Sequence, residues 1–267
     1  MHCGPIQRRR EKTAMELITS RSNPLLVHIR KLLKSRSYRR ETGQCVSDGI
    51  KLLEEAIRWK ADLIAVLVTQ GTDLPPLPSS VRCVQVPRDV MASLSPMKAP
   101  QGALFTFQMP DLAPPPQLTG QRYLVLDGVQ DPGNVGTIWR TLDAFAGDGL
   151  LLTGPSADPF GWKAIRASMG AAFRTPVWEI SPQALVELAR RSELPLLATA
   201  LREDTIQLQD LTADRAAVII GSEGHGISPE LLTLCQETIR IPMAPQCESL
   251  NAGVAAAVVL WELFRRH

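Results

Sequence analysis

Four prolines stand in the seven residues 110–116, within PDLAPPPQLTGQ at 110–121. Such a stretch can be neither a helix nor a central strand, and it favours an extended spacer. The chain of 267 residues therefore divides into residues 1–109, a linker at 110–121 and residues 122–267. Each flanking part is long enough to bury a core of its own. A second proline cluster, LPPLPSS at 74–80, is shorter and lies between two apolar runs, so it reads as a loop inside the first part.

The mean hydropathy of -0.01 and the 45% hydrophobic content describe a globular chain. A run of about 18 apolar residues, as a membrane span needs, is absent from the sequence. Residues 1–15 carry charge with no apolar stretch behind them, and read as a flexible basic tail and not a secretory signal. The five cysteines form no CxxC pair, which suits a reducing compartment, so a cytoplasmic location is expected. The four histidines lack ligand spacing, and no metal site is expected.

Charge is unevenly spread. Residues 1–60 hold 14 Lys/Arg against 6 Asp/Glu, or +8, while the other 207 hold 15 against 21, or -6. A basic segment of this size attracts a polyanion, nucleic acid first among candidates. A solvated helix face rich in Lys and Arg would read the same way.

In the first part, Asn23 and Pro24 can open a helix with Leu25, Ile29, Leu32 and Leu33 on its apolar face. GIKLLEEAIRW (helix), LIAVLVT and VRCVQVP (strands), RDVMASLS (helix) and ALFTF (strand) follow, an alternation that predicts a small α/β sandwich. After the linker, YLVLD, LLLT, LPLLATAL, AAVIIG and IRIPM alternate with helical spacings, predicting a parallel sheet covered by helices. Ligands of such sheets bind beyond the carboxyl ends of the strands, which directs attention to the loops after Leu126, Ile220 and Ile241.

The first loop, LDGVQDPGNVGTIWR, makes a tight turn, with Asn134 placed to cap a helix starting near Val135 and Arg140 on its second turn. On spacing alone, Arg140 is equally a surface residue of a capped helix. The second loop, VIIGSEGHGIS, runs GxxGxG, which is neither the dinucleotide GxGxxG nor a phosphate loop ending in GK[ST]. His225 there reads as a turn residue. The third, IRIPMAPQCESLNAGVAAAVVLWELF, leads through Ser249, a candidate cap, into a long apolar helix at about 250–264.

NxGxxxR (Asn134 to Arg140), GSEGxG (Gly221 to Gly226) and IPMxxxxESLN (Ile241 to Asn251) resemble, in this order, the three motifs of the TrmH/SpoU family of RNA 2'-O-ribose methyltransferases in the SPOUT superfamily. SADPFGWKAIRASMGAAFRTPV at 156–177 resembles the stretch between the first two. Residues 20–57 are similar to the L30e-like RNA-binding domain of many such enzymes, although Asp48 precedes Gly49 where Glu is usual and Cys45 replaces an aromatic residue.

The resemblance implies an α/β fold: a small L30e-like N-terminal domain and a SPOUT-type C-terminal domain with a parallel sheet and a trefoil knot. It implies methyl transfer from S-adenosylmethionine to a ribose 2'-hydroxyl of RNA, with 23S ribosomal RNA favoured, and a homodimer formed through the catalytic domain. A tRNA substrate and a non-catalytic RNA-binding protein of the same fold stay open. By the resemblance the cofactor would be held by Gly221, Ser222, Glu223, Gly224, Ile241, Met243, Ser249, Leu250 and Asn251. Catalysis would fall to Asn134, Arg140, Glu223, Ser249 and Asn251. Arg140 would grip a phosphate or the developing alkoxide, oriented by Asn134 with Glu223 as the nearest carboxylate. Asn23, Arg36, Arg39 and Arg40 are the expected RNA contacts.

Overall fold

The computed structural model describes residues 15–95, 102–200, 202–247 and 249–265. The basic tail expected at 1–15 lies, but for Met15, outside them. Two sheets form, one on either side of residues 110–121.

The first sheet is built from β1 (Glu16–Leu17), β2 (Gln44–Asp48), β3 (Leu63–Val68), β4 (Arg82–Gln85) and β5 (Ala103–Gln108), in the order β1-β4-β3-β5-β2. Helices α1 (Pro24–Lys34), α2 (Arg36–Thr42), α3 (Ile50–Arg58) and α4 (Arg88–Leu94) connect them. Asn23 caps α1 by accepting from the Leu25 N–H at 3.0 Å, and Pro24 occupies the first turn, where a missing N–H costs nothing. The buried stripe of α1 is Leu26, Ile29 and Leu32. Leu25 and Leu33, expected inside, are only partly covered, because the helix is rotated to lay Leu26 on the sheet. Residues 74–80 form a loop, as expected.

Period-2 alternation sorts the strands' side chains onto two faces. Val46, Leu67 and Leu104 pack under α1 and α4. Cys45, Val66, Val68, Phe105 and Phe107 point the other way, into a core shared with the second half of the chain. Burial there, with Asp158 nearby, pushes the Cys45 thiol up to about 12, so it is a neutral packing group.

The second sheet is parallel throughout, in the order β10-β12-β9-β11-β6-β7-β8. Its strands are β6 (Arg122–Asp127), β7 (Gly149–Thr153), β8 (Val177–Glu179), β9 (Leu196–Thr199), β10 (Ile206–Gln207), β11 (Ala216–Gly221) and β12 (Glu237–Arg240). α5 (Pro132–Ala144), α6 (Trp162–Ser168) and α9 (Ala252–Phe264) cover one face. α7 (Pro182–Arg191) and α8 (Pro229–Leu234) cover the other. The last strand ends at Arg240, so Ile241, Pro242 and Met243 lie beyond it in the loop and not in the expected strand IRIPM. Gly136 lets α5 meet α6 closely: a Cβ there would strike the Ala164 carbonyl oxygen and come within 2.6 Å of the Ala167 Cβ. No described helix is long and apolar enough to cross a membrane.

The proline segment is strapped to the second half and does not hang free as a spacer. Leu118 is buried, and its N–H donates to Ser192 Oγ at 2.8 Å. The Arg215 guanidinium donates to the carbonyls of Leu118, Gly120 and Ser192, each at 2.8 Å. Leu112 accepts from the Glu179 N–H at 2.9 Å.

Candidate active site

The carboxyl ends of β9, β10, β11 and β12 open onto a cavity of about 590 Å³, within the range of small-molecule sites. Its walls are the second and third loops. Gly221, Ser222, Glu223, Ile241, Met243, Ser249 and Leu250 all line it, as expected from the sequence. Gly224 and Asn251 do not. Thr199, Ala200, Gln207, Arg240 and Ala255 do, without having been expected. Thr199 and Ala200 stand near the end of the run LPLLATAL, read as a strand, and the rule that ligands sit beyond strand ends would have found them had it been applied to this strand as well.

The second loop closes on itself. Ser222 and Gly226 exchange backbone hydrogen bonds of 2.9 and 3.0 Å, and Ser222 Oγ accepts from the His225 N–H at 3.2 Å. His225 is thus a turn residue. Gly221 is required by the closeness of the two limbs: a Cβ would run into the backbone of Gly226 and Ile227, with Gly226 O at 2.6 Å. Asp127, buried at the end of β6, accepts from the Ser228 N–H at 2.7 Å and pins the far end of this loop beside the first.

Glu223 at the loop's tip meets Asn134. The Asn134 amide donates to Glu223 Oε1, while its own oxygen accepts from Asn251 Nδ2 at 3.2 Å. One amide therefore joins all three loops at the edge of the cavity. Both capping roles differ from expectation. Asp131, one turn earlier, caps α5 by accepting from the Asn134 N–H at 2.9 Å, which leaves the Asn134 side chain free to bridge the loops. Asn251, not Ser249, caps α9, accepting from the N–H groups of Gly253 and Val254. Ser249 stays exposed on the cavity wall.

Arg140 stands apart. It lies six residues beyond Asn134, about 9 Å along the helix axis and about 240° around it, so Asn134 cannot orient it within one chain. It is exposed and makes no ion pair among the described residues. Its neighbours on α5, Thr137 and Thr141, meet Val254, Val258 and Trp261 of α9 in a shallow apolar groove.

The arginines expected to touch RNA are engaged elsewhere. Arg39 is 5% exposed, and its Nε and Nη2 donate to Asp158 Oδ2 at 3.0 and 2.6 Å. Arg40 donates to Glu179 at 2.6 Å and to Asp158 at 3.4 Å, and Arg36 to Glu179 at 2.8 Å. Arg39, its side chain 6% exposed, is closed to a phosphate, whereas Arg36 and Arg40 keep 48% and 26% exposure, so part of the +8 of the first 60 residues is spent between the domains. Asn23 is occupied as the cap of α1.

Similarity to known proteins agrees with this architecture. Residues 121–261 match the SpoU rRNA Methylase family, and residues 23–104 match the MRM3-like substrate binding domain. The chain is 30% identical over 236 residues to the 23S rRNA (guanosine(2553)-2'-O)-methyltransferase RlmP of Bacillus subtilis, covering 87% of this chain and 93% of that one. The AdoMet-bound rRNA methyltransferase from Sinorhizobium meliloti superposes with a TM-score of 0.82 at 26% identity, covering 94% of this chain and 98% of that one. The SpoU methyltransferase AviRb from Streptomyces viridochromogenes, in complex with AdoMet, gives 0.82 at 27% identity, over 91% and 98%. With one family model spanning more than half its length and the three loops meeting at Asn134, this chain belongs to the SpoU rRNA methylase family, with a SPOUT-type catalytic domain behind an MRM3-like substrate-binding domain.

Proposed function

We propose that the protein transfers a methyl group from S-adenosylmethionine to a ribose 2'-hydroxyl of ribosomal RNA, with 23S rRNA as the substrate class. The observation that carries this reading is the junction of Asn134, Glu223 and Asn251 at the edge of the cavity. The cavity suits the cofactor in size and lining: Ile220, Ile239, Ile241, Met243 and Leu250 offer apolar surface to a base, and Ser222, Glu223, Gln207 and Arg240 offer polar groups to an amino-acid end. When bound, S-adenosylmethionine supplies a methyl group on a positively charged sulfur.

The chain's own part is chiefly positioning, because displacement needs the hydroxyl oxygen held in line with the methyl carbon. Arg140 serves as a clamp for phosphate or developing negative charge and not as a base, since a guanidinium offers five N–H donors and no acceptor. The reading includes a homodimer formed through the α5/α9 face, supported by Val254, Val258 and Trp261, the last 55% exposed. Pairing there would carry Arg140 toward the second copy. The family's trefoil knot belongs to the same proposal, supported by the return of α9 from β12 to pack on α5. So does a cytoplasmic location, where ribosomal RNA is met.

Calorimetry tests the cofactor: S-adenosylmethionine or S-adenosylhomocysteine should bind the folded protein, and failure of both, with and without RNA, ends the methyltransferase reading. Mapping 2'-O-methylated riboses in cells with and without the gene identifies the target. In Gly221→Ala, the added Cβ meets backbone that cannot yield, a strain of about 1–3 kcal/mol. Cofactor affinity should fall by about tenfold or more, and an unchanged affinity would remove Gly221 from the site.

A further inference from the structure

The two domains touch through an apolar surface with a ring of ion pairs around it. Phe105 and Phe107 of the first sheet stack against Phe173 of the second half, at centroid distances of 6.4 and 5.2 Å. Around them, Arg166 donates to Asp48 at 3.2 Å, and Arg174 bridges Glu55 of α3 and Asp143 of α5. The most buried pair is Arg39 with Asp158, side chains 6% and 9% exposed. Asp158 lies between β7 and α6, and Glu179 ends β8, so α2 is seated over the carboxyl ends of these strands, on the same edge of the sheet as the three loops.

An apolar contact alone is non-directional and lets two surfaces slide. A buried ion pair differs: its Coulomb gain is largely offset by desolvation, yet leaving either charge unpaired is heavily penalised. Its effect is to select one arrangement over its neighbours. Arg39 adds a second constraint by donating to the Leu32 carbonyl at the end of α1, tying that helix to the same carboxylate. The strapped proline segment removes the slack that would otherwise uncouple the domains.

We propose that Asp158, gripping Arg39 and Arg40, is a positioning residue that sets the enzyme's reach, holding the substrate-binding domain at one fixed distance from the methyl-transfer cavity and so helping to choose which ribose is methylated. This rests on the methyltransferase reading. Asp158 does not line the cavity and acts through the placement of the other domain.

The test uses the full chain carrying Asp158→Asn, which keeps the shape and loses the charge, beside Asp158→Glu, which keeps the charge. Amide hydrogen exchange across α2, the helix that carries Arg36, Arg39 and Arg40 onto Asp158 and Glu179, reads the docking itself. Single-turnover methylation of a ribosomal RNA fragment, with the modified riboses mapped, reads its consequence. In Asp158→Asn the α2 amides should exchange faster, methylation at the parent site should fall by roughly 10- to 100-fold, neighbouring riboses should acquire methyl groups, and cofactor affinity should be unchanged. Asp158→Glu should recover part of the site choice. If Asp158→Asn lowers the unfolding midpoint but methylates the same ribose at the parent rate, the residue is merely structural and the proposal fails. Unchanged exchange across α2 overturns it whatever the activity. A parent protein that binds neither cofactor nor RNA overturns the methyltransferase reading instead, and the reach proposal with it.

Discussion

Arg140→Ala is expected to retain fold and cofactor affinity while methyl transfer falls by about 10²–10³-fold, the scale of losing one donor aimed at developing charge. Arg140 is exposed and outside every ion pair of the described residues, so its removal should shift stability by no more than about 0.5 kcal/mol. Arg140→Lys keeps the charge but loses the planar fork, and it should lose most activity too if two-point contact is what matters. Single-turnover transfer at saturating RNA, measured beside cofactor affinity, separates a clamp from a bystander. Normal turnover in the alanine variant would reject the role.

The largest stability loss is expected from Trp139→Ala. Trp139 is fully buried on α5, between Asn134 and Arg140; its indole N–H donates to the Thr175 carbonyl at 2.9 Å and its ring meets Phe160 edge-on at 5.8 Å. Truncation leaves a cavity and costs about 3–5 kcal/mol, a large part of the 5–15 kcal/mol or so that holds a typical domain together. Trp139→Phe keeps most of the ring and strands only the Thr175 carbonyl, for a smaller loss of about 1–3 kcal/mol. Denaturant midpoints for the two variants should fall in that order, and an unmoved midpoint in Trp139→Ala would contradict the packing of α5. Because α5 carries both Asn134 and Arg140, the alanine variant should lose activity at temperatures where the parent is still fully folded.

What could be read from sequence was what is local. Glycines and prolines punctuate the three loops, and the resemblance of their motifs to a known family singled out Gly221, Glu223 and Ser249, which line one cavity, and Asn251 at its edge. The alternation of ALFTF placed Phe105 and Phe107 on one face. Errors arose where a distant partner decides. Both Asp131 and Asn134 are able caps, and only the approach of Glu223, 89 residues away, shows why the asparagine serves another purpose. Arg39 carries the same charge whether it faces RNA or a carboxylate, and its partner Asp158 lies 119 residues along the chain. The short edge strands β8 and β10 were missed because three and two residues hold too little pattern to register. Linker composition likewise predicted an extended path but not the Arg215 fork that fastens it.

The single amide of Asn134 has a thermodynamic consequence. Its donor is taken by the cavity-lining loop at Glu223 and its acceptor by the residue that caps α9, while its backbone belongs to the helix that carries Arg140. A ligand that settles the 221–226 loop or the 241–251 loop into one arrangement therefore biases the start of α5, and a ligand that fixes α5 biases both loops in return. Such coupling is reciprocal by necessity: whatever factor the methyl donor applies to the affinity for RNA, RNA must apply to the affinity for the methyl donor. The site is then one cooperative unit, in which neither ligand can be tightened without the other responding.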